Sequence, residues 1–338
     1  YNKECPTLKV HGANMAESKS EKYLGDMVHQ NGTPKPNLAR RLSRGWGKVN
    51  EILAIIKEAP LGRWRIASGL ILRKSMLINT MLCNSEAWHG ITFEQVKAFE
   101  KIDEALIKGL VEGHSKIPIP ALYLEKGQTP IRYIIACRRI LYLQTILHRS
   151  EEELIFKVYA AQNNDPIKGD FCQLVNEDRN LIDLQLATIS NMTRYDLKVL
   201  VKSKARNAAF KYLISIKESK SKMDHIIYLN SFKILPYMES MTREQSSLLL
   251  ALRTRTCRGI RTDFGDLYLD KQCPLPGCPD ADSLPHLLTC RVLQVAVQDP
   301  SLVQYGDVFS MDTNMQQLAV ERFTLLIEAR DKILERSI

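Results

Sequence analysis

The sequence has no long apolar run, no export-type signal segment and no glycine-rich phosphate loop. A membrane-spanning helix needs about 18 to 20 consecutive apolar residues, and no stretch approaches that length. A signal segment would begin with basic residues followed by an apolar run, which the N-terminal residues lack. Serine and histidine occur in no pattern typical of a nucleophile elbow. The sequence therefore favours an intracellular protein, in the nucleus or cytoplasm, with no membrane partner.

A disulfide framework is also missing. Most cysteines lie far apart, and most of these lie inside apolar helical patterns, which is typical of reduced thiols in a reducing compartment. These dispersed cysteines are Cys5, Cys83, Cys137, Cys172 and Cys257.

Length and composition bound the architecture. A chain of 338 residues with 45% hydrophobic content can bury a sizeable core, and we expect two or three subdomains. The chain begins with Tyr1 and not with methionine, so we expect a fragment of a longer polypeptide.

The remaining cysteines form a pattern with a histidine. Cys273 and Cys278 are separated by four residues, seven residues then lead to His286, and three more lead to Cys290. This spacing is typical of a tetrahedral Cys3His zinc site. Because four protein ligands leave no position for water, the predicted zinc is structural. The alternative is four unrelated residues, since free cysteines are common in cores.

Elsewhere the apolar periodicity is helical, so the predicted fold is mainly α with a short β segment at the N-terminus. Short strands are expected around Val10, Tyr23 and Val28, with a hairpin-type turn at Asn31-Gly32. A helix is expected from about Asn37. Its predicted apolar stripe consists of Leu38, Leu42, Trp46, Val49, Ile52, Leu53 and Ile56.

The formal net charge of +9 is concentrated in three segments. Between Lys35 and Lys74 there are ten Lys or Arg residues, and between Arg194 and Lys222 there are nine. A shorter cluster between Arg253 and Arg261 precedes the cysteine pattern. Positive charge beside a zinc knuckle favours a nucleic-acid partner, because phosphate neutralisation releases condensed counterions. The alternative for each segment is a solvated helix face.

Several motifs, taken in order, resemble one family. Residues 21–25, Glu-Lys-Tyr-Leu-Gly, then Asn31-Gly32 and a basic helix, are similar to the palm-to-thumb passage of non-LTR retrotransposon reverse transcriptases. Residues 117–125, 129–134 and 138–143 resemble the helical region after the thumb, and the cysteine pattern resembles the C-terminal zinc knuckle. The ordered succession covers nearly the whole chain.

The resemblance implies a division of the chain into a palm end, a helical thumb and linker bundle, a small Cys3His zinc knuckle and a tail. The expected parts are residues 1–33 (end of the palm), 34–112 (thumb-like domain), 113–165 (helical connector), 166–262 (basic helical linker), 263–292 (zinc knuckle) and 293–338 (C-terminal helical tail).

The sequence departs from this family in its catalytic carboxylates. Reverse transcriptases hold two Mg2+ ions with palm carboxylates that include adjacent aspartates, and this sequence contains no adjacent aspartate pair. We therefore expect no catalytic residue in this chain, with Mg2+ bound only in a palm upstream of it. RNA-directed DNA polymerase activity would belong to the longer polypeptide, and the chain alone is predicted to be inactive.

The resemblance also assigns binding roles. Tyr23, Leu24 and Gly25 would lie where the palm grips the primer end. A helix that presents basic side chains opposite its apolar stripe would follow the template–primer duplex, and the later basic segments would contact template RNA or target DNA. The candidate contacts are Arg40, Arg41, Arg44, Lys48, Lys202, Lys204, Arg206, Arg253, Arg255, Arg258 and Arg261.

Two other functions remain open at this point. One is a domesticated, non-enzymatic nucleic-acid-binding protein that has lost the palm. The other is a helical scaffold for protein partners in which zinc serves stability alone. Weak binding to nucleic acid that is insensitive to salt would favour the scaffold.

Overall fold

The structure is a computed structural model of the chain. It describes residues 9–10, 13–14, 19–23, 26–29, 32, 34–58, 65–111, 117–217, 232–257, 260, 271–297 and 303–336. Within this part of the chain the fold is mainly α, which confirms the predicted class. The apolar pattern also predicts a helix near residues 221–230, which lie outside the described residues.

Two short antiparallel strand pairs precede the helices. Strands β1 (Lys9–Val10) and β2 (Ala13–Asn14) pair, as do β3 (Ser20–Tyr23) and β4 (Asp26–His29). Gly32, with a φ of +66°, donates its N–H to His29 O at 2.9 Å. Asn31 lies outside the described residues, whereas Gly32 follows β4 and precedes the first helix. The expectation of a strand-joining hairpin turn at this position is corrected.

Fifteen helices follow the strands in the described residues. Their bounds are α1 Lys35–Glu58, α2 Ile66–Leu72, α3 Asn79–Met81, α4 Phe93–Gly109, α5 Ile119–Glu125, α6 Ile131–Leu147, α7 Leu154–Asn164, α8 Phe171–Leu181, α9 Leu186–Asn191, α10 Arg194–Lys217, α11 Tyr237–Ser240, α12 Arg243–Arg253, α13 Leu284–Thr289, α14 Arg291–Val297 and α15 Thr313–Glu335. A π-helical turn, Arg73–Ile78, joins α2 to α3, and 3-10 turns cover Ser85–Ala87 and Tyr305–Phe309.

Local sequence signals explain where several helices begin. Thr92 and Gln95 form a capping box at the start of α4, and Thr242 and Gln245 form another at the start of α12. In each box the threonine hydroxyl accepts from the backbone N–H three residues on, and the glutamine side chain accepts from the threonine N–H. The Asp170 side chain caps α8 in the same sense by accepting from Gln173 N.

Helix α1 packs against α3 and α4 along a face that shares several residues with the predicted stripe but includes Gly45 in place of Trp46. Gly45 is buried on this face, and a Cβ at this position would lie 2.8 Å from the Met81 sulfur. The close approach of the helices turns Trp46 toward solvent, where 47% of its surface is exposed. The prediction that Trp46 belongs to the core is therefore wrong, whereas Leu38 and Ile52 are buried as predicted.

The long helix α6 occupies the centre of the molecule and contacts α4, α8 and α10. Around it, the buried apolar residues form one cluster that begins at Leu38 and ends at Leu326. None of the described helices combines the length and the apolar character needed to cross a bilayer. The bundle thus supports the surface residues of α1 and α10 on a packed interior.

One lysine lies inside this interior. The Lys126 side chain is fully buried, and its ammonium group donates to Ile107 O at 2.7 Å. Burial lowers the pKa of Lys126 to about 7, and the charges of Arg73 and Arg243 act in the same direction. In the unfolded chain a lysine titrates near 10.4. Between about pH 7 and pH 10.4, Lys126 is mostly protonated in the unfolded chain and mostly neutral in the folded protein. Because the unfolded state binds more protons in this range, the free energy of unfolding rises with pH.

We therefore expect Lys126→Met to flatten the pH dependence of stability. Below about pH 7 the buried ammonium charge of Lys126 destabilises the folded protein by on the order of a few kcal/mol, and this destabilisation disappears toward pH 10. Urea unfolding at pH 7 and pH 9 should show a larger rise in the free energy of unfolding for the wild type than for the variant. Lys101→Met, at an exposed position of α4, is the matched control. If the free energy of unfolding rises equally between pH 7 and pH 9 in the two variants, the expectation is contradicted.

Candidate metal centre and basic surfaces

The first two cysteines lie on a short hairpin. Gln272 and Ala281 form an antiparallel bridge, and Cys273 N donates to Asp280 O at 2.8 Å. Within this hairpin Gly277 has a φ of +78°, which favours glycine. Cys278 N donates to Leu275 O at 3.2 Å. These backbone bonds hold the two thiols on the same side of the hairpin.

The other two residues of the cluster come from helix α13. Ser283 caps this helix by accepting from His286 N at 3.3 Å, and Pro285 lies in the first turn. The helix ends at Cys290, whose N–H donates to His286 O at 2.7 Å. The spacing of Leu284, Leu287 and Leu288 predicts a short helix that carries His286 and Cys290, and α13 confirms it, with Cys290 as the C-terminal cap.

The four side chains converge. One ligand atom from each of Cys273, Cys278, His286 and Cys290 lies within 4.8 Å of all the others. Cys278 Sγ is 3.3 Å from His286 Nε2 and 3.9 Å from Cys290 Sγ. Sulfurs about 2.3 Å from a tetrahedral metal would be about 3.8 Å apart. The cluster can therefore hold a metal ion, and three of its residues are buried.

The histidine orientation supports coordination through a defined nitrogen. His286 Nε2 faces the thiols, while His286 Nδ1 lies 3.6 Å from an Asp280 carboxylate oxygen. A metal-binding histidine commonly donates its other ring N–H to a carboxylate, which fixes the tautomer and strengthens the ligand. Sequence reasoning missed Asp280, although its position two residues after Cys278 is a signal that could have identified it.

Burial favours the protonated form of the Cys273 thiol in the absence of a cation. Burial, with smaller contributions from neighbouring Cys278 and Cys290, raises the pKa of the Cys273 thiol to about 12. A coordinating cation favours the thiolate form, so metal binding at this cluster would release protons.

A buried ion pair connects the hairpin to the C-terminal helix. Arg330 in α15 donates to Asp282 at 2.7 Å, and both side chains are buried. Leu284 and Leu287 in α13 are fully buried beside them, and α13 contacts both α14 and α15. Ordering of the metal centre is therefore coupled to the docking of α15, a link that local sequence patterns do not reveal.

The basic residues of α1 divide into two groups. Arg44 is exposed, Arg40 is half-buried, and half-buried Lys48 forms an ion pair with Glu51 at 2.5 Å. By contrast, Arg41 is buried and donates to Thr80 O at 3.2 Å. Arg41 was expected to contact phosphate, and the structure corrects this, because its guanidinium group braces α1 against the end of α3.

Helix α10 places most of its candidate contacts at the surface. Lys202 is exposed, and Lys204 lies 3.4 Å from an Asp183 carboxylate oxygen. Arg206 is exposed and donates to Phe232 O, with its guanidinium carbon 5.7 Å from the centre of the Phe232 ring. Of the three, Lys202 therefore has the side chain most available to a ligand.

The arginine cluster before the metal hairpin contains a buried member. Arg253 lies in the interior, 3.1 Å from a carboxylate oxygen of Glu125, and also donates to Val308 O and Ser310 O. Its predicted role as a nucleic-acid contact is corrected, because these partners occupy the guanidinium group. The neighbouring Arg255 is exposed, whereas Arg258 and Arg261 lie outside the described residues.

The predicted primer-grip segment is described only in part. Tyr23 is the last residue of β3 and pairs with Asp26 of β4. Leu24 and Gly25 lie outside the described residues. The structure thus places Tyr23 in the β3–β4 pair, which precedes α1.

Comparison with protein-family models, with curated proteins and with solved structures finds no match to this chain. A functional assignment accordingly depends on the geometry described above and on the sequence motifs.

Proposed function

We propose that this chain is the nucleic-acid-binding C-terminal portion of a retroelement RNA-directed DNA polymerase, acting inside the cell on template–primer and target nucleic acid. The observation that carries the proposal is a basic surface on α10, formed by Lys198, Lys202, Arg206 and Lys211, all of them exposed. In this 24-residue helix Asp196 is the sole acidic residue. A polyanion gains affinity at such a surface by releasing counterions.

The arrangement around α1 supports the same proposal. The β3–β4 pair leads directly into a 24-residue helix that presents Arg40, Arg44 and Lys48 at spacings of four residues. Residues four apart lie on one side of a helix, so these cations can meet successive phosphates of one strand. Contacts of this type position a duplex without reading its sequence, as movement along a template requires.

A structural zinc ion fits the Cys3His cluster. Three thiolates and an imidazole suit zinc better than magnesium or calcium, which prefer oxygen ligands. Four protein ligands at tetrahedral separations leave no position for a reacting water. Zinc would therefore hold the hairpin on α13 and α15, and any Mg2+ would be bound by an upstream palm.

A salt titration tests the proposal. The affinity of the zinc-loaded chain for a labelled RNA–DNA primer–template should fall steeply between 50 and 200 mM salt, measured by fluorescence anisotropy. Each phosphate contact to a duplex contributes about 0.9 to the slope of log affinity against log salt. A flat response, or no binding, would overturn the proposal.

The α1 contacts give a more specific prediction. Arg40→Ala with Arg44→Ala should weaken binding to all duplexes alike and reduce the salt slope by about 2, because two phosphate contacts are removed. Lys101→Ala with Lys168→Ala removes the same charge from exposed positions elsewhere and is the control. Loss of binding to one duplex sequence alone, or equal losses in both double variants, would contradict a duplex-tracking role for α1.

A helical scaffold for protein partners is the second candidate function. Helix α7 has no buried residue, and its Leu154 and Val158 are 78% and 48% exposed. Exposed apolar residues that recur at helical spacing can form part of a protein interface. Salt-insensitive or absent nucleic-acid binding in the titration above would favour this function.

A further inference from the structure

An open groove crosses the bundle beside α10. It has a volume of about 780 Å3 and lies between α2 with its π-helical turn, residues 127–129, α6 and α10. Binding sites for small organic groups commonly have volumes of about 300 to 1,000 Å3. The groove is therefore large enough for a nucleotide unit.

The floor of the groove is apolar, and no aromatic ring is found among its described lining residues. One of its residues, Ile71, is 68% exposed, which is unusual for a large aliphatic side chain. Covering this surface with a flat apolar group would remove it from water. The apolar lining residues include Ala67, Leu70, Ile71, Ile78, Ile134 and Leu141.

Cations surround this floor. Lys74 of the π-helical turn and Lys202 of α10 line the groove from different elements, and both are exposed. Arg138 and Arg206 also line the groove, whereas Glu239 is the single acid among its described lining residues. The chemistry fits a ligand with an apolar centre and negative charge on both sides.

The walls are held in place by buried polar contacts. Arg73 of the π-helical turn binds Asp103 in a bidentate manner, at 2.6 and 2.7 Å, and donates to Gln128 Oε1 at 2.8 Å. Gly127 has a φ of +58°, and a Cβ there would lie 2.4 Å from the Lys233 backbone. π-Helical turns often occur at functional sites. The groove is thus already formed, so ligand binding requires little ordering.

A second groove continues on the other side of Lys202 and Arg206, since both residues line the two grooves. It has a volume of about 550 Å3 and contains Phe210 and Phe232, with ring centres 6.0 Å apart. Lys233 lies at its edge, and no acidic residue is found among its described lining residues. A strand crossing α10 would meet cations and aromatic groups in alternation, as in single-strand binding sites.

We propose that the groove between α2 and α10 binds single-stranded nucleic acid, with one unpaired base on the apolar floor and the flanking phosphates on Lys74 and Lys202. This inference rests on the proposed function and narrows it from nucleic acid in general to a single strand at this site. A base inside a duplex is stacked and paired, so its faces are not available to the floor.

A pair of double variants tests the groove in the zinc-loaded chain. Lys74→Ala with Lys202→Ala should lower the affinity for a 12-nucleotide single strand at least tenfold and reduce the salt slope by about 1.4, because each single-strand contact contributes about 0.7. Lys101→Ala with Lys168→Ala removes the same charge from exposed positions outside the groove and outside the basic surface of α10. The control variant should lose less than threefold in affinity for the single strand. The two double variants should bind a duplex with similar affinities.

Cross-linking gives an independent readout of location. A strand containing one 4-thiouridine should cross-link to peptides from residues 66–81 and 131–147, and Ile71→Glu should abolish these products. Equal losses in the two double variants, or cross-links confined to other segments, would overturn the inference. A 12-residue acidic peptide that competes as well as the oligonucleotide would also overturn it, by identifying a peptide site. If the wild type binds no nucleic acid at all, the proposed function itself is contradicted, and the groove inference falls with it.

Discussion

Replacing Cys278 by serine is expected to abolish stoichiometric zinc binding and to loosen the C-terminal region. A structural zinc site contributes about 10 to 16 kcal/mol of apparent binding free energy in small domains, and that energy stabilises the folded form. Here Cys278 Sγ lies within 4 Å of both His286 Nε2 and Cys290 Sγ, at 3.3 and 3.9 Å, so its loss opens the ligand set. Elemental analysis measures the metal, and hydrogen exchange of residues 271–297 and α15 measures the loosening.

Cys83→Ser is the matched control, because Cys83 is half-buried and lies outside the cluster. We expect it to leave zinc content and hydrogen exchange unchanged. Unchanged metal content in Cys278→Ser would refute the metal site. Loss of zinc without faster exchange in α15 would instead refute the coupling through Asp282 and Arg330.

Replacing Arg253 by alanine should destabilise the fold by about 3 to 5 kcal/mol, because it leaves the Glu125 carboxylate buried and uncompensated. The arginine also satisfies Val308 O at 2.6 Å and Ser310 O at 3.2 Å. It thereby connects α5, α12 and the turn at Tyr305–Phe309. Urea unfolding monitored by circular dichroism gives the change in the free energy of unfolding.

Two further variants show whether the loss of stability in Arg253→Ala comes from the buried ion pair. Arg255→Ala removes an exposed arginine two positions away, and we expect a change within about 0.5 kcal/mol. Arg253→Met combined with Glu125→Gln should recover part of the lost stability, since no charge then remains buried in the pair. If Arg253→Ala is as mild as Arg255→Ala, the buried ion pair contributes little to the fold.

Local sequence patterns were sufficient to predict the mainly helical class and the four side chains that converge in the Cys3His cluster. The spacing of Cys273, Cys278, His286 and Cys290 is itself the constraint, because a short hairpin and one helical turn can bring these residues together with few long-range contacts. Asp280 remained unnoticed because its partner is defined by the orientation of the His286 ring, which depends on the folded hairpin.

Trp46 shows why the face of a helix is harder to predict. An apolar stripe identified Trp46 as core, yet Gly45 lies at the contact with α3 and α4, because the smallest residue allows the closest approach. Apolar periodicity indicates that a helix has a buried side, whereas the packing partner determines which residues occupy it.

By itself, the amino-acid sequence determined the mainly helical class and the Cys3His cluster that could hold a metal ion, because each depends on residues close together in the chain. Tertiary structure decided which cations are available to a ligand. It buried Arg41 and Arg253 among carbonyl and carboxylate partners and left Arg44 and Lys202 exposed. It also formed the groove between α2 and α10 from segments more than a hundred residues apart in sequence. Charge is visible in a sequence, but its exposure and its partners depend on long-range packing.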